Sequence, residues 1–370
     1  MWILLLVLFE ILVGVIPDRV IRQYIAMYYA TNTKPREYVL FTIVHVDDQP
    51  VNMVVDTGTN FFLLLEQSAY EKLLGHGACE MVFSRCYDCQ KSCQPINPKT
   101  IYFADGRSVK AFRRYGSLRY GVNWFTISFG LEFEFSPSPA VRNPPAPFGL
   151  GPTIDVRFPS VLEQLVTQSP KAVKENTFAL YLKPGPFSTS HPVGELLLGG
   201  GDDSLYEGPL QFVPMVDRYY WKVGLTEVQI DSDKTVDVAG RVHLDTGSNY
   251  ILVPQNKLME LITSIQWAVS KAAAEAVHFM YDEELSLFQV NCDYRRYMPT
   301  LRFMLSTPNG NVPLNITHEG YVPVRENLCY LMVKSGVLTL PNFMLVRNYL
   351  EFQLDQKRIG IAKLKLADNS

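Results

Sequence analysis

Residues 51–60 read "VNMVVDTGTN". The apolar, β-branched run predicts a buried strand, and it stops abruptly on Asp56, with Thr57, Gly58 and Thr59 following. A carboxylate at the mouth of such a strand is costly to desolvate unless it is hydrogen-bonded. Asp, Thr and Gly are also ordinary turn residues, so one such tripeptide decides nothing. The decision comes from residues 241–250, "RVHLDTGSNY". Set against "NMVVDTGTNF" (52–61), they match almost position by position: apolar strand, Asp-Thr-Gly, hydroxyl residue, Asn, aromatic. Asp245 follows Asp56 by 189 positions. "PFGLG" then places Gly149 93 residues beyond Asp56, and "LTLPNF" places Pro341 96 residues beyond Asp245. Two chance turns would not carry matched flanks and matched spacing, so the chain reads as two halves built on one plan.

With 370 residues, 47% of them hydrophobic, the chain has material for a large core or two lobes. A net charge of −3 gives no sign of a nucleic-acid binder. The basic cluster Arg107, Lys110, Arg113, Arg114 and Arg119 is interleaved with aromatics and is expected to be a solvated hairpin face. Residues 2–16, "WILLLVLFEILVGVI", are short for a membrane span and are read as a signal peptide (1–16), although no basic segment precedes them. No later stretch is long and apolar enough for a stable membrane span. Cys79, Cys86, Cys89 and Cys93 cluster, while Cys292 and Cys329 stand apart. The even number and the targeting segment favour disulfides. The rival, a zinc site drawn from the cluster and His76, lacks paired Cys-x-x-Cys modules. Asn315-Ile316-Thr317 is a glycosylation sequon, usable in the secretory path.

Short β-like runs recur at 38–46, 100–103, 125–135, 178–182, 195–200, 220–230, 300–305, 349–354 and 358–364, several alternating apolar with polar. Helical patterning is confined to "SAYEKLL", "PSVLEQLV" and 255–280, where Leu258, Leu261, Ile262 and Ile265 share a face. "SPSPAVRNPPAP" (136–147) reads as an exposed extended loop. The fold class is therefore all-β with a few short helices.

If a pseudo-twofold axis relates the halves, Asp56 and Asp245 meet between them. Two carboxylates in contact cannot both ionise easily, so the pair shares a proton. The ionised member can take a proton from water while the protonated one polarises a carbonyl. That is peptide-bond hydrolysis with no metal and no other cofactor. Gly58 and Gly247 permit tight turns, Thr59 and Ser248 offer hydroxyls beside the carboxylates, and Thr57 and Thr246 are placed to tie one loop to the other.

From about Tyr38 to Lys363 the chain resembles the pepsin-like aspartic proteases, through the paired Asp-Thr-Gly-[Ser/Thr], "ELLLGGGDDSLYEGPLQFVPM", "YYWKVGL" and "FMLVRNYLEFQLDQKRIGIAKL". The resemblance implies a bilobal acid-protease fold, with an N-terminal lobe over 17–207 and a C-terminal lobe over 208–370. It implies Asp56 and Asp245 as the catalytic pair, a Cys292–Cys329 disulfide, and a flap hairpin over 100–112. Such a protein acts as a monomer on an extended peptide or protein substrate, in the secretory pathway, outside the cell or in the endolysosomal system. Four departures stand out. Where the family's flap carries a tyrosine this chain has Phe103, followed by Asp105 and Gly106, and Tyr102 would point to the other face. Leu63 stands where the tyrosine's tryptophan partner belongs, and Pro341 ends the second hydrophobic-hydrophobic-glycine loop. About twenty residues between signal and Tyr38 leave no room for the usual long propeptide. These departures motivate the rival reading, a catalytically weak or inactive binding protein on the same scaffold.

Overall fold

The computed structural model describes residues 20–30, 37–89, 93–121, 123–136, 144–168, 172–184, 192–232, 234–325 and 328–366. The expected signal peptide and most of the loop 136–147 lie outside the described residues. The rest is strand-dominated, in sheets of fourteen, seven and four strands, with the bilobal architecture of the pepsin-like fold.

Period-2 burial explains the strands that matter most. Along Gln49–Asp56, Val51, Met53 and Val55 face the core. Along Lys234–Leu244, Val236, Val238, Val242 and Leu244 do the same. In each half a short strand runs parallel beside the strand that carries the aspartate. Pro147–Gly149 flanks Asp56, and Thr339–Leu340 flanks the approach to Asp245. The halves are joined by sheet: Asn348–Gln353 pairs with Thr177–Lys183, and Arg358–Leu364 pairs with Tyr206–Pro214. Ile21–Ala30 lies centrally in this large sheet, between Glu37–Val46 and Val193–Leu198.

The hairpin expected over 100–112 is larger than its sequence signal. Lys99–Tyr102 turns through Gly106 (φ 86°) into Ser108–Tyr120, which pairs along its length with Asn123–Ser136. Its basic residues lie on a largely exposed hairpin face, as expected, and there they pair with neighbours. Lys110 meets Glu134 at 2.7 Å, Arg119 meets Asp48 at 3.3 Å, and Arg114 lies over the Tyr87 ring. The helical pattern of 255–280 also needs correction. The helix covers Gln255–Ala273 and ends where Ala274 turns left-handed (φ 57°) and the Ser270 hydroxyl accepts from Val277 N–H. Beyond it Met280–Asp282 is a strand. Cys79–Cys86, Cys89–Cys93 and Cys292–Cys329 are bridged.

Candidate active site

Asp56 ends its strand, and Asp245 follows the last residue of its own. The loops they open are locked to each other by two threonines in a near-symmetric arrangement. Thr57 Oγ1 donates to Leu244 O (2.7 Å) and accepts from Thr246 N–H (3.0 Å). Thr246 Oγ1 donates to Val55 O (2.7 Å) and accepts from Thr57 N–H (3.0 Å). Both threonines are wholly buried. Gly58 N–H donates to Asp56 Oδ1 at 2.7 Å, and Gly247 N–H to Asp245 Oδ1 at 2.9 Å.

This interlock brings the carboxylates together. A Cβ on Gly58 would stand 2.4 Å from Asp245 Oδ1, and one on Gly247 would stand 2.6 Å from Asp56 Oδ1. Only glycine lets each loop approach the opposite carboxylate so closely. Asp56 is within hydrogen-bonding reach of Asp245, and its carboxyl is pushed well above the usual carboxylate range. Burial is the larger cause and the neighbouring Asp245 charge the next, opposed by the Gly58 and Thr59 N–H groups. The expected hydroxyls behave differently. Thr59 Oγ1 accepts from Phe61 N–H (3.2 Å), and Ser248 Oγ donates to Tyr250 O (3.3 Å). Both are local turn bonds of the kind hydroxyl residues make two positions along, so these side chains shape their own loops.

The model of the eukaryotic aspartyl protease family matches residues 148–364, more than half of the chain. The chain belongs to this family. The matched span contains Asp245; Asp56 lies before it. Among curated proteins the chain is 30% identical to cathepsin D of Gallus gallus over 45% of this chain and 35% of that protein. It is 24% identical to gastricsin of Cavia porcellus over 66% of this chain and 65% of that protein. With pepsin B of Canis lupus familiaris it shares 27% identity over 55% of this chain. The matches thus span less than two thirds of these relatives' lengths.

Within this member of the aspartyl protease family, the two halves treat the loop beside each aspartate differently. Gly149 N–H donates to Phe61 O (2.9 Å), and Leu150 N–H to Asp56 O (2.8 Å). A Cβ on Gly149 would collide with Phe61 O at 2.4 Å. Pro341 stands at the matching place and has no N–H to give. Tyr250 O, the counterpart of Phe61 O, takes the Ser248 hydroxyl instead, and Asn342 N–H donates to Ser248 O (3.2 Å). Asp245 N–H still donates to Leu340 O at 2.9 Å. The proline is therefore absorbed by a one-residue shift in bonding, without loss of the strand under Asp245.

At the hairpin, Phe103 and Leu63 join one apolar cluster with Phe61, Ile101, Val109 and Ala111. Tyr102 points the other way and is 80% exposed. Asp105 and Gly106 form the tip, where Asp105 pairs with Arg107 at 2.5 Å.

Three residues near the loops escape sequence reasoning. Trp221, fully buried, donates its indole N–H to Leu150 O (2.9 Å) and so ties the halves beneath the dyad. His243 stands two residues before Asp245, where the first half has Val54, a difference visible in the matched motifs. Glu132 is wholly buried at the base of the hairpin, and neither oxygen has a hydrogen-bond partner among the described residues. Nothing in the sequence marks it.

Proposed function

We infer that the chain is an aspartic endopeptidase that hydrolyses peptide bonds with a water activated between Asp56 and Asp245. The observation that carries this is the threonine interlock, which holds two carboxylates in contact where the halves meet. The ionised carboxylate takes a proton from water as the oxygen adds to the scissile carbonyl carbon, and the protonated one gives its proton to the carbonyl oxygen. On collapse the C–N bond breaks, the leaving nitrogen takes the proton that the dyad gained from water, and the former carbonyl oxygen returns its proton to the other carboxylate, so both return to their starting state. The substrate is an extended peptide paired to strand edges, with its side chains in apolar pockets under the hairpin. It lies between lobes spanning 17–207 and 208–370.

The three disulfides support a secretory route. So does the exposed Asn315, which lies on the edge strand Gly310–Ile316. Phe103 and Leu63, which leave the hairpin without its usual polar pair, favour a second reading as a weakly active or inactive binding protein. The test is incubation of the purified chain with a denatured protein mixture across pH 3–7, with and without a statine-type transition-state analogue, and sequencing of the products. Cleavage is expected on the acid side, blocked by the analogue and abolished in Asp56→Asn and Asp245→Asn. No cleavage at any pH, together with retained peptide binding, favours the binding protein. Near-wild-type turnover in either variant removes the dyad assignment.

A further inference from the structure

His243 breaks the likeness of the two carboxylates. Side chains two apart on a strand share a face, so His243 is presented on the side of its strand that leads to Asp245, and the first half offers only Val54 there. The imidazole Nε2 is buried with no hydrogen-bond partner among the described residues. Its ring meets Tyr220 edge-on, with centroids 5.5 Å apart and planes at 76°. The charged and titratable groups around it come from every neighbouring element. Asp245 and Arg241 belong to its own segment. Lys222 lies directly across on the antiparallel partner, and Asp217 and Tyr220 come from the turn before that partner. Thr339, its parallel neighbour, carries only a hydroxyl. Burial pushes the imidazole below its ordinary value of 6.5 and the Asp245 carboxylate opposes that, so the ring takes up its proton at acid pH.

We propose that His243 is a positioning residue for the dyad's proton: it draws the pair's negative charge onto Asp245 and leaves the shared proton on Asp56. This rests on the hydrolytic reading above. Asp245 is then the base that takes the proton from water, and Asp56 gives its proton to the carbonyl oxygen. When the C–N bond breaks, the proton on Asp245 passes to the leaving nitrogen, and the former carbonyl oxygen returns its proton to Asp56. As pH falls, His243 takes up its proton and adds a positive charge on the face of the strand that leads to Asp245, which favours the pair's negative charge there. The enzyme's acid limit is thereby extended.

Two measurements test it. The His243 ring resonance, identified by its loss in His243→Gln, is titrated by NMR in the wild type, Asp245→Asn and Asp56→Asn. Removing the Asp245 charge should lower the His243 midpoint by at least about half a pH unit, since an opposite charge a few ångströms away moves a titration by roughly one unit or more. Removing Asp56 should leave it in place or raise it. Equal shifts in both variants, or none in either, overturn the proposal. The second measurement is the kcat/KM pH profile. His243→Gln should move the acid limb up by about half a unit or more, with a smaller change in the alkaline limb. An unmoved limb with a merely lower kcat means that His243 only packs, and that too overturns it. If no variant hydrolyses any peptide, the hydrolytic reading falls, while the NMR titration still decides where the charge of the pair resides.

Discussion

The hydroxyls of Thr57 and Thr246 each make two hydrogen bonds across the junction of the halves, and all four join them to buried backbone groups. Replacing Thr57 with Val keeps the shape but strands the Leu244 carbonyl and the Thr246 N–H. An unsatisfied buried group costs about 1–3 kcal/mol, so Thr57→Val should lose about 2–5 kcal/mol of unfolding free energy. Thr246→Val should lose a similar amount, because its bonds mirror those of Thr57. Thr57→Ser keeps the hydroxyl and should lose far less. Denaturant unfolding of the three variants checks this, with losses under about 1 kcal/mol for both valines counting against the interlock as a support of the dyad. The same reasoning separates the threonines from Thr59 and Ser248, whose hydroxyls bond only their own loops.

The hairpin is the element where sequence and packing can be tested against each other. Leu63 is wholly buried, and a Cβ added to Gly130 would come within 2.4 Å of Leu63 Cδ2, so the space beside it is full. Leu63→Trp alone should therefore overpack the site at about 1–3 kcal/mol. Phe103→Tyr alone adds a hydroxyl beside an apolar cluster and should gain nothing in activity. Made together, the new indole and phenol can bond, so a double-mutant cycle on kcat/KM and thermal stability should show favourable coupling above about half a kilocalorie. Strict additivity would mean that the two side chains do not meet. The hairpin also shows what was legible beforehand. Its first strand follows from a short β-like run, and its tip and the place of Phe103 from the resemblance to the family's flap. The full length of Ser108–Tyr120 does not, because its outward positions carry arginines and aromatics that pair sideways. Ile21–Ala30 was hidden for a similar reason: Arg22 bonds Glu195 and Asp202, and Gln23 bonds Ile43 O, so polar residues sit in a central strand. The two Asp-Thr-Gly loops were legible because identical chemistry recurs with matched flanks. The isolation of Glu132 was not, because it depends on a register shift between Lys110 and Ala111 that no local pattern announces.

For the whole molecule, the buried and paired carboxyls set a stability curve with two falling sides. Asp155, Asp202 and Glu319 are held below the usual carboxylate range by Arg157, Ser204 and Arg347 respectively. Groups with a depressed folded value give stability above about pH 4, which is lost as pH falls through that folded value. Glu132 and Asp56 are shifted the other way, chiefly by burial. The folded state then holds protons that the unfolded chain has released, so stability declines as pH rises above the ordinary carboxyl value of about 4 and continues to decline until the folded value is passed. Maximum stability is thus expected in mildly acid solution, where the proposed reaction would run. Glu132 makes the neutral side testable apart from the dyad. It lies in strand register with Ala111 and Leu65, among apolar side chains, and the Arg107 charge opposes its shift. Glu132→Leu removes the group that must either stay protonated or ionise without a partner. Its melting temperature should rise more at pH 7 than at pH 4, with a gain at pH 7 on the order of 1–3 kcal/mol. Asp56 is unchanged in this comparison, so the difference between the two pH values belongs to Glu132. An equal shift at both would mean that Glu132 has found a partner or carries its charge in the folded state, and the neutral-side decline would then have to come from Asp56.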